Sequence, residues 1–278
     1  MLERLCGVDL SAKQIEHLCH HYGESLEEQM TNNEIVSSEK KQEVHYAMLD
    51  GSYIMSREGW VETKLGRVFK ATDDISISPK RNQIMTSDYV AHIGVCTDFC
   101  QKFSQSLTNI LNLVFIADGA TWIWNWVSDN YPNAVQILDF FHGYEKICQW
   151  GAMAFKDKET LHTWCEAMKE LLLDDQITEV ITQLKELTCQ ADTLKNRDAL
   201  IIYLENNEHR MKYKTFKGKG LLIGSGAIES AHRNVIQSRM KRSGQRWTIK
   251  GGQQVLNIRT AKLSNKWGKV INLVRNAA

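Results

Sequence analysis

Three carboxylates carry the clearest chemical signal in the chain. Asp50 interrupts an apolar, β-prone run, VHYAMLDGSYIM, and a glycine follows it at once. Asp118 ends the run LNLVFIADG and also precedes a glycine. An ionised carboxylate in apolar surroundings costs free energy unless a cation or polar partner compensates it. Two carboxylates on neighbouring strands can offer hard oxygen ligands to divalent cations. The third candidate, Glu229, is the only acid between His209 and Ala278. It lies just inside a helix start, after the glycine-rich stretch GKGLLIGSG, which permits close backbone approach. Each residue also has an ordinary reading: a strand-end aspartate caps a turn, and a glutamate in a first helical turn answers the helix dipole. GKGLLIGSG lacks the GxxxxGK[ST] spacing of a P-loop.

The elements that must position these groups follow from periodicity. Ser11 is a candidate N-cap for AKQIEHLCHHYG, with Gly23 a candidate stop, and Glu24 to Glu39 continues as acidic helix. The preceding LCGVDLS resembles the turn and recognition-helix start of a helix-turn-helix. VHYAMLDGSYIM and WVETKLGRVF read as strands, the second with Val61, Thr63, Leu65 and Phe69 on one face. A polar stretch from Asp73 to Asn82 precedes a third strand, QIMTSDYVAHIG. Asp98 to Ile110 reads as helix, and LNLVFIADG as a strand covered on both faces. TWIWNWVSDNY reads as a helix whose Trp122, Trp124 and Trp126 pack the core; a strand at Ala134 to Leu138 and a helix at Tyr144 to Phe155 follow. The order β-β-β-α-β-α-β-α describes an α/β sandwich. Leu161, Trp164, Met168, Leu171 and Leu172, continued by Ile177, Val180, Ile181, Leu184 and Leu187, form the apolar stripe of a helical insertion. A helix from near Ala227, another over Gly252 to Leu263 and a basic end complete the chain.

Net charge is only +1, but it is split. Of 34 bases and 33 acids, residues 209–278 hold 16 bases and one acid, which leaves 18 bases and 32 acids before them. A block of +15 favours a polyanion such as DNA; the alternative is a tail folded against the acidic body. No apolar run approaches the roughly 20 residues of a membrane span, and the start lacks a signal-peptide core. The seven scattered cysteines read as reduced thiols of a cytoplasmic protein.

Four segments together resemble a known family. YAMLDGSYI with GWVETKLGRVF is similar to the first-Asp segment of insertion-sequence DDE transposases, and VFIADGATWIWNW to the second-Asp segment. GSGAIESAHRNVIQSRMKRSGQRW resembles the Glu segment, closest to the Kra-type branch. ILDFFHGYEKI adds a DxxH element, Asp139 and His142, as in Mutator-like and related transposases with a helical insertion. The resemblance spans roughly residues 40–278 and implies an RNase H-like mixed sheet flanked by helices, with the α-helical insertion before the last catalytic helix. In such a sheet the first and fourth strands lie side by side, so Asp50, Asp118 and Glu229 are expected to meet at one edge.

The resemblance implies two divalent ions, Mg²⁺ or Mn²⁺, held by Asp50, Asp118 and Glu229, with His142 completing the catalytic set. His142 reads either as an organiser of the site or as a core histidine. Arg233 is placed to contact a phosphate or to pair with Glu229. Lys241, Arg242, Arg246 and Trp247 are candidates to hold DNA, Trp247 equally a core residue. The implied partners are double-stranded DNA, as transposon ends and target, and further copies of the chain on that DNA; the implied location is the bacterial nucleoid. Expected divisions are a helical remnant at 1–40, the first part of the catalytic core at 41–156, the insertion at 157–216, and the last catalytic helix with its basic tail at 217–278. Relatives of this kind carry a longer N-terminal, end-binding region, so the chain reads as N-terminally truncated. The competing functions are a DNA-binding or regulatory remnant without chemistry and a host nuclease.

Overall fold

The computed structural model describes residues 9–32, 41–78, 81–187 and 191–277. They fall into two compact units, Met1–Leu113 with Ala227–Ala278, and Val114–Gly226. The helix-turn-helix signature lies largely outside the described residues, as does the end of the acidic stretch after Asn32.

The first unit is built on a long hairpin, β1 (Lys41–Ser56) and β2 (Gly59–Lys70). Its register runs from His45↔Lys70 to Ser56↔Gly59. Gly59 takes φ 117°, a conformation that L side chains rarely adopt. Ser56 closes the turn, its hydroxyl donating to the Gly59 carbonyl and accepting from the Glu58 amide. The polar stretch after β2 is itself a small hairpin, β3 (Asp74–Ser78) with β4 (Arg81–Ile84). β5 (Asp88–Ile93) then pairs antiparallel with β2. The single strand expected over QIMTSDYVAHIG is thus split between β4 and β5.

Expected alternation fails in β2, where every residue from Thr63 to Phe69 is buried. Helices explain one face: Phe103 of α2 (Cys96–Ser106) lies so close over Gly66 that a Cβ there would sit 2.4 Å from its ring. The charged residues within this run have partners. Lys64 donates to Glu62 and to the Gly94 carbonyl, each at 2.7 Å. Edge strand β5 is covered by the C-terminal helix Ile249–Leu263.

β6 (Ile110–Ala117) starts in the first unit and continues into the second, where it pairs in parallel with β7 (Val135–Leu138). The strand order β5-β2-β1-β6-β7 makes this a five-stranded mixed sheet, so the coarse expectation of a mixed α/β sheet with flanking helices holds. In the second unit α3 (Thr121–Asn130) buries Ile123, Trp124 and Val127. α4 is Phe140–Ala154, starting four residues before the expected Tyr144. The insertion consists of α5 (Lys158–Leu173), α6 (Ile177–Glu186), α7 (Ala191–Asn207) and α8 (Tyr213–Gly218). Of its expected stripe, Met168, Leu172, Ile177, Val180, Ile181 and Leu184 are buried, whereas Leu161, Trp164, Leu171 and Leu187 are half-buried.

The chain re-enters the first unit through α9 (Gly226–Ala231), a π-helical turn (His232–Gln237) and α10 (Ser238–Met240). α11 (Ile249–Leu263) and α12 (Trp267–Ala277) follow; the sequence reading had only a basic end where α12 stands. Gln253 of α11 accepts from the Ile93 amide at 2.8 Å and donates to the Ala91 carbonyl at 3.0 Å. A buried amide thus satisfies strand groups that would otherwise be orphaned. α1 (Ala12–Asn32) crosses α11 closely at Gly23. Gly23 is therefore no helix stop: a Cβ there would lie 2.3 Å from the Gln254 carbonyl oxygen, so its role is close approach in mid-helix.

Candidate functional site

In the first unit Asp50 sits in β1 opposite Leu65 of β2. Its side chain is 37% exposed, so the apolar run does not bury it fully. One carboxylate oxygen accepts from the Gly51 amide at 2.7 Å, and the other is 3.2 Å from His232 Nε2. His232, three residues after Glu229, opens the π-helical turn and is buried. Its Nδ1 is 3.3 Å from the Ser52 hydroxyl. Burial pushes the His232 pKa down to about 4; the Asp50 backbone opposes this and Lys241 adds to it. His232 is therefore neutral at pH 7, a fixed imidazole packed beside the Asp50 carboxylate. The Nε2 contact is close but lacks good hydrogen-bond direction. π-turns inside helices recur at functional sites.

Glu229 is exposed in the first turn of α9. Arg233 is exposed too, and the two form no ion pair among the described residues. α9 is tied to the sheet by Arg67, a buried residue of β2. Its Nη1 donates to the Ala227 carbonyl at 2.7 Å and its Nε to the Ser87 hydroxyl at 3.0 Å. The rings of Phe69 and Tyr89 lie 5.4 and 5.3 Å from the guanidinium carbon. Burial lowers the Arg67 pKa, and four contacts to rings and oxygens make a buried cation tolerable.

The basic segment divides into two kinds of residue. Lys250 pairs with Glu24 and Lys266 with Asp88, as a tail folded on acidic neighbours would. Lys241, Arg242 and Arg246 have no acidic partner within 4.0 Å among the described residues. Lys241 is partly desolvated, which lowers its pKa, while Asp50 raises it. Trp247 is half-buried and structural in its bonding. Its backbone bridges to Ser56, its indole N–H donates to the Met240 carbonyl at 3.0 Å, and Arg239 covers its ring at 4.8 Å.

In the second unit Asp118 follows β6 directly and is half-buried. Its carboxylate accepts from the Ala120 amide at 3.0 Å, and its carbonyl from the Trp124 indole at 2.7 Å. The turn-capping reading is thus physically present, and it fixes the direction of the carboxylate. Gly119 is required by Tyr203 of α7: a Cβ there would lie 2.1 Å from the ring. The Tyr203 hydroxyl is buried without a hydrogen-bond partner, and burial, then Asp118 and Asp139, raise its pKa.

Asp139 is fully buried. It caps α4 by accepting from the His142 amide at 2.7 Å and also accepts from the Ser225 amide. Burial alone would raise its pKa; bonds from His142 and Ser225 outweigh this and hold it below the usual carboxylate range. The Phe140 amide donates to the Ile223 carbonyl at 2.9 Å. The DxxH element therefore pins the loop that precedes α9. His142 Nδ1 is 3.3 Å from the same carboxylate, with the ring 40% exposed. Gly224 allows this packing, since a Cβ there would meet Phe141 at 2.9 Å.

These arrangements bear on metal binding. Asp50, Asp118 and Glu229 offer hard oxygen donors that are half-buried or exposed, the chemistry that Mg²⁺ and Mn²⁺ prefer. No group of three or more His, Cys, Asp or Glu side chains able to hold one ion occurs among the described residues. Magnesium bound through one or two carboxylates and completed by substrate phosphates and water needs no such group.

With this geometry in place, comparison with known proteins adds one finding. The chain is similar to a UPF0236 protein. That protein, described as lying in the vanSb 3' region of Streptococcus gallolyticus, is 26% identical over 281 residues, covering 94% of this chain. The chain spans 58% of that relative's length. No family model matches the chain. No helix among the described residues is long and apolar enough to cross a membrane. Cys19, Cys96, Cys100, Cys148 and Cys165 are free thiols.

Sequence reasoning missed His232, Arg67 and Tyr203. His232 had a usable signal, because it stands three residues from Glu229 in IESAH. Arg67 had a weaker one, as a cation inside an apolar strand. Tyr203 had none, since its place depends on how α7 packs.

Proposed function

We propose that the chain is the catalytic part of a DDE-type DNA transposase, cutting and joining DNA strands by in-line displacement. The observation that carries this reading is the placement of the three carboxylates. One is on β1, one ends β6, and one stands in the first turn of the helix that follows the insertion. Each falls within a segment that resembles the corresponding transposase motif, and each is open enough to accept a ligand. Asp50, Asp118 and Glu229 would serve as ligands to divalent ions, one or two carboxylates to each ion with substrate phosphates and water completing the shell, and such ions would supply Lewis acidity to the attacking and leaving oxygens.

The remaining roles belong to the chain's own side chains. His232, neutral and buried, packs beside Asp50 without adding a positive charge there. The Ala120 amide orients the Asp118 carboxylate. Arg67 holds the start of α9, and Asp139 holds the loop before it. Arg233 is a phosphate contact in this reading, because it is exposed and unpaired with Glu229. The mechanism uses no covalent protein–DNA intermediate, so it requires no Ser or Tyr nucleophile.

The test uses end-labelled duplex DNA carrying the sequences that flank the gene, with Mn²⁺ or with a chelator. The reading expects Mn²⁺-dependent breaks with free 3′-hydroxyls and no DNA-linked protein after denaturation. Cleavage that persists in chelator, or a covalent adduct, would exclude it. Binding without cleavage would favour the non-catalytic remnant.

A further inference from the structure

The β1–β2 hairpin carries a feature that neither the carboxylates nor the DxxH element uses. Trp60, the second residue of β2, is 68% exposed, the most exposed large apolar side chain among the described residues. Across the hairpin it pairs with Met55. These two and Met240 form the apolar part of a groove of 290 Å³. Lys241, Arg242 and Arg246, with Gly244 and Gln245 between them, form the rest of its wall, with no acid among the lining residues. The groove is built rather than incidental. The Trp247 amide donates to the Met55 carbonyl at 3.2 Å, and the Arg57 amide to the Trp247 carbonyl at 2.8 Å. The cationic loop is thereby fastened to the hairpin that presents Trp60. The groove lies wholly within the first unit.

We propose that this groove holds an unpaired segment of DNA, one base stacked on Trp60 and its flanking phosphates on Lys241, Arg242 and Arg246. An aromatic platform beside a cationic track is the physical signature of single-strand binding. Its volume suits one nucleotide at a time rather than a duplex. Three cations without acidic partners supply the charge complementarity that a purely apolar ligand would not need. The inference deepens the transposase reading and rests on it, since strand transfer presents a freed strand end. It assigns the stacking role to Trp60, because Trp247 has its indole N–H and one ring face already engaged.

The experiment measures fluorescence anisotropy of short labelled oligomers with the full chain in chelator, so catalysis plays no part. The probes are oligo-dT, an abasic strand of the same length, the matching duplex, and poly-glutamate. For oligo-dT, Trp60→Ala is expected to weaken binding by about tenfold, and Trp60→Phe by much less. The abasic strand should bind both proteins equally, since it has phosphates and no base to stack. Neutralising Lys241, Arg242 and Arg246 together to Gln should lower the salt slope for single strands by about 2. The proposal is overturned if Trp60→Ala binds oligo-dT like the wild type. It is also overturned if the loss is as large on the abasic strand or poly-glutamate, because Trp60 would then support the loop rather than stack. Single-strand binding that depends on Trp60, in a protein that never cleaves, would sink the transposase reading alone. Cleavage with Trp60-independent binding would sink the groove alone.

Discussion

Replacing Asp139 with alanine should destabilise the second unit by about 3 kcal/mol at pH 7. Two contributions make up the figure. The carboxylate caps α4 through the His142 amide at 2.7 Å, and losing such a cap costs about 1 kcal/mol. It also accepts from the buried Ser225 amide, and losing a hydrogen bond to a charged group costs about 1.5–3 kcal/mol. Desolvation of the carboxylate returns part of that, because the alanine variant no longer buries a charge. The sign with pH follows from the pKa direction. Asp139 is held below the usual carboxylate range, so its stabilisation is present above the unfolded value of about 3.9 and disappears as pH falls through the lower folded value. Urea unfolding of wild type and Asp139→Ala, followed at pH 7 and again in acid, measures both effects. A difference under about 0.5 kcal/mol at pH 7 would refute the capping role. So would a gap that stays constant into strong acid.

Further outcomes follow from the same structure. Gly119→Ala should cost about 1–3 kcal/mol by driving a methyl into Tyr203, and a second change, Tyr203→Leu, should recover part of it in a double-mutant cycle read by thermal unfolding. Simple additivity would mean that the two residues do not press on one another. Arg67→Met should lose about 1–3 kcal/mol in urea unfolding, because the Ala227 carbonyl is left without its donor; an unchanged midpoint would mean that Arg67 does not anchor α9. His92 has its pKa pushed down to about 4, by burial first and then by Lys102, with Asp98 and Glu27 opposing. Its neutral form is favoured by folding, so the stability of wild type relative to His92→Gln should be greatest above about 6.5 and shrink as pH falls towards 4. A gap independent of pH between these values would contradict that burial.

Much of the sheet was legible in the sequence because its strands contain apolar runs ended by turn residues. LNLVFIADG is continuous because both faces are covered, and β6 appears where that predicts. The insertion was legible because Met168, Leu172, Val180 and Leu184 repeat at helical spacing. What escaped depended on tertiary partners. β2 broke its alternation because Lys64 and Arg67, themselves buried, find acceptors for their charged groups, which no local pattern encodes. Gly23 looked like a helix stop because local propensity cannot reveal the α11 backbone pressed against it. The polar stretch at Asp73–Asn82 folds as a hairpin through side-chain bonds, Asn82 to Asp74 and Thr86 to Asp73, rather than through an apolar face. In the candidate site, the local chemistry of Asp50, Asp118 and Glu229 was readable from residue type and flanking glycine. The neutral His232 and the clamp made by Asp139 required coordinates.

Cleavage by the three carboxylate-to-amide variants tests the transposase reading most directly. Asp50→Asn, Asp118→Asn and Glu229→Gln preserve side-chain shape and remove one negative ligand each. All three should be assayed beside wild type on gene-flanking DNA with Mn²⁺, with DNA binding measured in parallel. The expected result is loss of cleavage by at least a hundredfold in every variant, a barrier increase of about 2.7 kcal/mol, with DNA affinity nearly unchanged. Any one variant that cleaves as fast as wild type would remove that residue from the metal site and contradict the triad.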